Sequence, residues 1–336
     1  MFYKKSELFK KEEKGIRCLA CNFKCLIPDN SYGRCRVRYN KNGELFVPFN
    51  YLSSVGFDPI EKKPVYHFLP GSLTFSFGMY GCNFRCKCCQ NWEISQEIGQ
   101  KYLITSNEII KKAIENNINV FVSTYNEPTI TVEWALEIFS KAKENIKDSK
   151  TGFVSNGYIS KESLDYLDGK IDFIRVDLKS FNKEKYRELT GGADLDKLLS
   201  SIEEIYKRSI HLELVTLVIE DFNDSDDEIK NIAYYIKSLS PSIPWHLTRF
   251  HPAYKMTEKK QTSSTKIERL IDIARQVGVF YVYGGNYITK NLNTYCPSCR
   301  KLIIERSYMS LERNYLSIKN GKGFCPWCGF EIYGIF

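Results

Sequence analysis

From about residue 71 to residue 290, short apolar segments alternate with stretches of helical periodicity, and few folds accommodate that rhythm. The strand candidates are Thr74–Met79, Val120–Ser123, Thr151–Ser155, Phe173–Leu178, Leu212–Ile219, Trp245–Phe250 and Val279–Tyr283. Helix starts fall between them with capping-box spacing: Thr105 with Glu108, Ser225 with Glu228 and Thr265 with Glu268. The last helical stretch carries Ile267, Leu270, Ile271 and Ala274 on one face and stops at Gly278, a residue suited to a left-handed cap. Near-continuous apolar strands, each followed by a helix, pack as a parallel sheet covered by helices. About six or seven such units predict an α/β fold, an open, partial (β/α)6-type barrel of TIM-like architecture, over residues 71–290. The chemistry of such a barrel sits at the strand C-termini.

The flanks break the rhythm. Residues 1–70 show little long periodicity but hold Cys18, Cys21, Cys25 and Cys35, with Gly33 placed to turn the chain back for the fourth. A short extended stretch at 45–49 precedes Asp58-Pro-Ile-Glu-Lys-Lys-Pro64, whose two prolines predict an irregular linker. Over 291–336, Cys296-Pro-Ser-Cys299 and Cys325-Pro-Trp-Cys328 have the spacing of a zinc ribbon or rubredoxin-like knuckle. Tetrahedral zinc takes two close thiolate pairs, so a structural zinc site is expected there. The N-terminal C-x2-C-x3-C-x9-C spacing is less regular; it is read as a second structural zinc site, with an auxiliary iron–sulfur cluster left open. A chain of 336 residues, 43% hydrophobic and 26% charged, is of the soluble globular class. No apolar run reaches bilayer-spanning length, and the start Met1-Phe-Tyr-Lys-Lys-Ser leads into Lys and Glu instead of an apolar signal segment. A cytoplasmic protein without membrane contact is therefore expected, in which the 12 cysteines hold metals before disulfides. The net charge of +8 permits an acidic partner without requiring one.

The third cysteine group lies in Gly81-Cys-Asn-Phe-Arg-Cys-Lys-Cys-Cys-Gln90, directly after an apolar strand. Three thiolates on one short loop, Cys82, Cys86 and Cys89, suit three irons of a cubane and leave the fourth open to a bound molecule. A zinc site or buried structural thiols are the alternatives that the residues alone allow. This C-x3-C-x2-C run resembles the signature of the radical S-adenosylmethionine (SAM) superfamily. The resemblance implies a 4Fe–4S cluster on Cys82, Cys86 and Cys89, with SAM chelated at the open iron through its amino and carboxylate groups. It implies reductive cleavage to methionine and a 5′-deoxyadenosyl radical that abstracts hydrogen from a substrate. An electron donor of ferredoxin or flavodoxin type and an anaerobic setting follow from it. The residue before the third ligand is usually aromatic in this superfamily; here it is Cys88, which lines the same pocket less tightly or competes as a ligand.

Other segments at strand ends extend the resemblance. Asn126 and Glu127, in Thr124-Tyr-Asn-Glu-Pro128, occupy the place of a Gly-Gly-Glu-type segment that holds the SAM amino group. An ammonium needs acceptors, which carbonyls and a carboxylate provide; a first-turn acid before a proline is the plainer role. Ser155-Asn-Gly-Tyr158 is similar to the Thr-Asn-Gly segment of pyruvate formate-lyase activating enzymes, and equally to a simple Asn-Gly turn. Asp177 and Lys179 share one side of the extended chain. Glycyl-radical activases carry the same Asp-Leu-Lys, which implies ribose contacts for Asp177 and carboxylate pairing for Lys179; an internal salt bridge is the alternative. His251, in Arg249-Phe-His-Pro252, resembles a Tyr-His segment beside SAM, or is a satisfied structural histidine.

Asp58–Pro64, Tyr66-His-Phe-Leu-Pro-Gly71 and Cys89-Gln-Asn-Trp-Glu-Ile-Ser95 look closest to the activating-enzyme-like radical SAM proteins of the AmmeMemoRadiSam group. That likeness implies a protein or peptide substrate ahead of a nucleic acid or small molecule. A separate class is a non-enzymatic metal-finger protein that binds nucleic acid through Lys290, Arg300, Lys301, Arg306, Arg313, Lys319 and Lys322 interleaved with Tyr295, Tyr308 and Tyr315. It is not favoured, since binding alone leaves the open-site cysteine loop without a purpose.

Overall fold

The computed structural model describes residues 2–99 and 101–336. Eight strands share one sheet: β1 (Ser54–Pro59), β2 (Leu73–Gly78), β3 (Val120–Ser123), β4 (Lys150–Ser155), β5 (Phe173–Asp177), β6 (His211–Val218), β7 (Trp245–Arg249) and β8 (Val282–Gly285). Their order in the sheet is their order in the chain. The pairs β2–β3, β3–β4, β6–β7 and β7–β8 are parallel, as the strand–helix alternation predicts. The main helices are α1 (Ser106–Glu115), α2 (Val132–Asn145), α3 (Lys161–Leu167), α4 (Lys183–Thr190), α5 (Leu195–Lys207), α6 (Asp226–Leu239) and α7 (Ser264–Val277). Among the described residues no helix is long and apolar enough to cross a membrane.

The chain divides into two compact units. The first comprises Met1–Asp58, Leu73–Ile174 and Leu189–Ile210. Its core rests on Phe75 and Phe77 of β2, Phe121 of β3 and Phe153 of β4, all fully buried. Gly152 is required there: a Cβ would come within 2.0 Å of the Phe173 ring. Helix α1 starts with the predicted capping box, Thr105 and Glu108 each accepting from the other's backbone N–H. Two small antiparallel sheets precede β1: Phe2–Lys5 with Glu44–Phe49 and Tyr39–Lys41, and Phe9–Glu12 with Gly15–Cys18 and Leu26–Ile27. Arg38 ties this segment to α2. Its buried guanidinium pairs with Glu133 at 2.6 Å and donates to the Ile130 carbonyl at 2.9 Å.

The second unit comprises Pro59–Ser72, Arg175–Glu188 and His211–Phe336. Its centre is the buried Glu213 carboxylate on β6. The carboxylate accepts from the backbone N–H of Tyr66 at 3.0 Å and of His67 at 2.7 Å, and meets His211 Nε2 at 3.1 Å and His246 Nε2 at 2.7 Å. His67 continues the network through Nε2 to Tyr283 Oη at 2.6 Å and Nδ1 to the Tyr333 carbonyl at 2.6 Å. Arg306 donates to the Tyr66 carbonyl at 2.6 Å and lies over the Tyr66 ring at 4.5 Å. These contacts fasten residues 59–72 to the C-terminal part of this unit.

Two local expectations are corrected. Asp58–Pro64 is no irregular linker: β1 runs through Pro59 and a 3-10 turn covers Ile60–Lys62. Pro59 is the last residue of a strand at the sheet edge, where a missing N–H costs little, and the buried Glu61 fixes the turn by accepting from Gly71 N–H at 2.8 Å. Helix α7 starts at Ser264 with Ser263 at its N-cap, so Thr265 is inside it. Glu268 is drawn away from a capping box by Tyr287 Oη at 2.8 Å and by Thr289 and Asn291. The helix ends at Gly278 with φ of 110°, as expected.

Candidate active site

In the first unit, β2 delivers the chain to Gly81 and then to the cysteine loop. Gly81 has φ of 92°, and a Cβ there would sit 2.7 Å from the Cys35 carbonyl oxygen, so glycine is needed for both conformation and space. Asn126, after β3, staples the base of the loop. Its Oδ1 accepts from Met79 N–H at 3.0 Å and its Nδ2 donates to the Gly81 carbonyl at 3.1 Å. Arg85 closes the loop on itself by donating to the carbonyls of Cys82 at 2.8 Å and Phe84 at 2.9 Å. Arg34 donates to the Asn83 carbonyl at 2.8 Å and Arg36 to the Gln96 carbonyl at 2.7 Å. These bonds go to carbonyls, so the three guanidiniums add positive charge around the loop. Burial, then Arg36 and Arg34, lower the pKa of Arg85.

Cys82, Cys86 and Cys89 are half-buried on this loop, while Cys88 is buried. Cys82 Sγ accepts from Phe84 N–H at 3.3 Å and lies 3.8 Å from Asn156 Nδ2. Burial, and next the charge of Glu127, push the Cys82 thiol up to about 12. Cys89 Sγ meets Ser95 Oγ at 3.0 Å.

Glu127 ties the ends of β3 and β4 together. It is 1% exposed, and its Oε1 accepts from Thr129 N–H at 3.0 Å, Thr129 Oγ1 at 2.6 Å and Ser155 Oγ at 2.8 Å. Oε2 accepts from Asn156 N–H at 2.8 Å. Burial outweighs these donors and raises the carboxyl pKa above its ordinary value. Glu127 and Ser155 are thus brought together. A side chain reaching the Cys82 sulfur is that of the neighbouring Asn156, which lies in the segment that resembles activating enzymes and equally a simple turn, and to which the sequence assigned no contact of its own. Asn83 accepts from Asn156 Nδ2 at 2.7 Å and is 1% exposed.

In the second unit, Asp177 sits between two cations on one side of its strand. Lys179 Nζ donates to Oδ2 at 2.8 Å, and Arg175 donates to Oδ1. Arg175 was not expected, although its i−2 position repeats the alternation that pairs Asp177 with Lys179. The His251 ring, half-exposed, meets the Gln261 side-chain amide.

The C-terminal cysteines converge. Sγ of Cys296 lies 3.5 Å from that of Cys328, and Cys299 3.6 Å from Cys325; all four lie within 4.8 Å of one another. The N-terminal group has Cys18, Cys21 and Cys35 buried and Cys25 half-buried. Its chain turns at Gly33, whose carbonyl accepts from Arg36 N–H at 2.9 Å.

A family model described as the radical SAM superfamily matches residues 77–233, the span that carries the cysteine loop, Glu127 and Asp177. The chain belongs to the radical SAM superfamily. It is 34% identical over 339 residues to an uncharacterised Methanocaldococcus jannaschii protein, covering 99% of this chain and 98% of that one. A second M. jannaschii relative, whose name places it provisionally among glycyl-radical enzyme activating enzymes, is 29% identical over 58% of this chain and 74% of its own. The fold is similar to a radical SAM methyltransferase from Sphaerobacter thermophilus, with a TM-score of 0.51 and 15% identity over 70% of this chain and 71% of that one. It is equally similar to Streptococcus suis SuiB bound to its precursor peptide SuiA, with a TM-score of 0.51 and 15% identity over 68% and 51% of the two chains. Radical SAM membership makes the protein an enzyme and implies a 4Fe–4S cluster and SAM. The donors present fit that cluster chemically: three thiols on one loop, with an amide N–H and a backbone N–H directed at the Cys82 sulfur.

Proposed function

We propose that this radical SAM enzyme is of the activating-enzyme type and takes a protein or peptide as substrate. The observation that carries the proposal is the joined constellation of the first unit, in which Asn126 fixes the cysteine loop and Glu127, through Asn156, is linked to the Cys82 sulfur. The activating-enzyme name of one M. jannaschii relative and the peptide bound to SuiB support the substrate class.

Cys82, Cys86 and Cys89 would hold the cluster. When bound, cluster and SAM together supply one-electron reductive cleavage of the sulfonium, with a low-potential donor of ferredoxin or flavodoxin type providing the electron. The residues themselves bind and orient. Asn126 and the carbonyls around it, with the second lone pair of Glu127 Oε2, suit an ammonium. We assign the SAM carboxylate to Lys179, ribose hydroxyls to Asp177 and a ribose or substrate-side contact to His251. Arg34, Arg36 and Arg85 favour the additional negative charge that reduction places on the loop. The C-terminal thiols suit a zinc ion, since Zn–S bonds of about 2.3 Å set tetrahedral edges near the contacts seen.

The test is anaerobic. Protein reconstituted with iron and sulfide is given SAM and dithionite, and 5′-deoxyadenosine is quantified beside a Cys82→Ala, Cys86→Ala, Cys89→Ala variant. Nucleoside from the wild type alone is expected, and its rate should rise with the protein substrate. A wild type that carries a reducible cluster yet shows no change in cluster EPR on adding SAM would overturn the assignment.

A further inference from the structure

The backbone that leads from β3 to Asn126 and Glu127 makes a turn that few tyrosines adopt. Tyr125 has φ of 71°, and Asn126 N–H donates across it to the Thr124 carbonyl at 2.9 Å. A hydrogen bond spanning three residues about a centre of positive φ is the rarer, strained kind of γ-turn. Glycine takes up such a backbone freely, whereas a bulky side chain does so only where its surroundings enforce it. The contacts that hold a tyrosine there are therefore informative.

Those contacts reach three neighbouring segments of the first unit. Tyr125 Oη donates to Asp58 Oδ2, on β1, at 2.9 Å. Asp58 is buried, and Thr74 Oγ1 of β2 fixes it by donating to its carbonyl at 2.8 Å. Two glycines leave room for the phenol. A Cβ on Gly56 would lie 2.6 Å from Tyr125 Oη, and one on Gly78 would lie 3.1 Å from Tyr125 Cδ2. The Tyr125 carbonyl accepts from Asn91 Nδ2 at 2.9 Å, just beyond Cys89. Asn126 holds Met79 and Gly81, just before Cys82, so residues 125 and 126 grip the cysteine loop at both ends. Because the peptide unit is planar, the dihedrals at Tyr125 set where the Asn126 amide and the Glu127 carboxylate stand relative to that loop.

We infer that Tyr125 is a positioning residue of the SAM site: anchored through its hydroxyl on Asp58, it holds the strained turn in the form that presents Asn126 and Glu127 to the SAM ammonium. The inference rests on the radical SAM reading of the loop. Without the anchor the turn relaxes to ordinary backbone, and the fraction of chains with the competent turn falls. Apparent SAM affinity falls by that same fraction, while all three loop thiols remain to hold the cluster.

The experiment uses the full chain, reconstituted anaerobically with iron and sulfide and reduced with dithionite. SAM is titrated in while the cluster EPR signal is followed. Tyr125→Phe removes only the hydroxyl and Asp58→Ala its acceptor. Each should raise the apparent Kd for SAM about tenfold, with iron content and the SAM-free EPR signal as in the wild type. In 5′-deoxyadenosine formation, both should raise KM for SAM and leave kcat unchanged. Asp58→Asn keeps an acceptor for the hydroxyl and should recover most of the affinity. Tyr125→Phe combined with Asp58→Ala should be no worse than either alone, because the two remove one contact. Wild-type affinity in Tyr125→Phe, or losses that multiply in the double variant, overturns the assignment. So does a loss of iron or an altered SAM-free signal in Tyr125→Phe, which would make the residue a support of the loop alone. A wild type whose cluster signal ignores SAM refutes the radical SAM reading and this assignment with it. A normal wild-type response beside unaffected variants refutes this assignment only.

Discussion

Glu127 offers the sharpest test of how the first unit is held together. Its carboxylate receives four donors, and these are unequal. The hydroxyls of Thr129 and Ser155 can rotate towards other acceptors, but the backbone N–H groups of Thr129 and Asn156 cannot. A buried donor left without a partner costs about 1–3 kcal/mol. Glu127→Leu strands both N–H groups and should cost about 3–5 kcal/mol. Glu127→Gln can keep an oxygen at the Oε1 position, serving Thr129 and Ser155, but sets an amide NH2 against Asn156 N–H. One stranded donor gives about 1–3 kcal/mol. Anaerobic urea unfolding followed by tryptophan fluorescence reads the difference as a midpoint shift at constant m. With m of about 3 kcal/mol per M, the Leu variant should move down by roughly 1 M or more, and the Gln variant by roughly half that. A Gln variant as damaging as Leu, or two midpoints indistinguishable from wild type, would refute the strut assignment.

The other predictions concern separate parts of the chain. Burial holds the His67 imidazole down at about 3, against the opposing charge of Glu213, so it stays neutral in the fold while the unfolded chain protonates it near pH 6.5. The unfolded state therefore binds more protons in acid, and stability falls below pH 6.5 by up to about 1.4 kcal/mol per pH unit for this group. His67→Phe should flatten the slope of unfolding free energy between pH 7 and 5 by about one proton; an unchanged slope contradicts the linkage. Gly152→Ala would drive a methyl group to 2.0 Å from the Phe173 ring and should cost about 3 kcal/mol or more, read in the same urea assay. Asn156→Ala removes the amide facing Cys82 and should lower the midpoint potential of the cluster in a redox titration; a rise would count against an N–H···S bond. Cys296→Ser, Cys299→Ser should reduce zinc by one equivalent per chain in metal analysis, leaving iron unchanged.

What the sequence made legible follows from where the deciding contacts lie along the chain. Strand and helix period, the Thr105–Glu108 box and the Gly278 cap are set within a few residues, and they appear in the structure as read. The Asp58–Pro64 segment was misjudged because proline was weighed locally. Its order comes from β1 lying at the edge of the sheet and from Glu61 being buried, neither of which neighbours in sequence reveal. Thr265 failed as a cap for the same reason. Glu268 has better partners some twenty residues on, Tyr287 and Asn291 among them.

Glu213 marks the limit most clearly. His211 and Glu213 share a face by alternation, yet nothing local says that the backbone of Tyr66 and His67, about 146 residues away, would satisfy the carboxylate. A buried acid is tolerated only when such donors arrive, so its environment is a property of the fold and not of the strand. The candidate site divides in the same way. The cysteine loop was legible because metal ligation requires thiols at close spacing, and Asp177 and Lys179 because strand alternation couples them. Asn156 was not, since its role depends on β4 ending beside the loop that follows β2. An asparagine before glycine reads as readily as a turn as it does as part of an activating-enzyme-like segment until the sulfur it faces is known. Short-range chemistry therefore pointed to the superfamily, and long-range packing decides which side chains surround the loop.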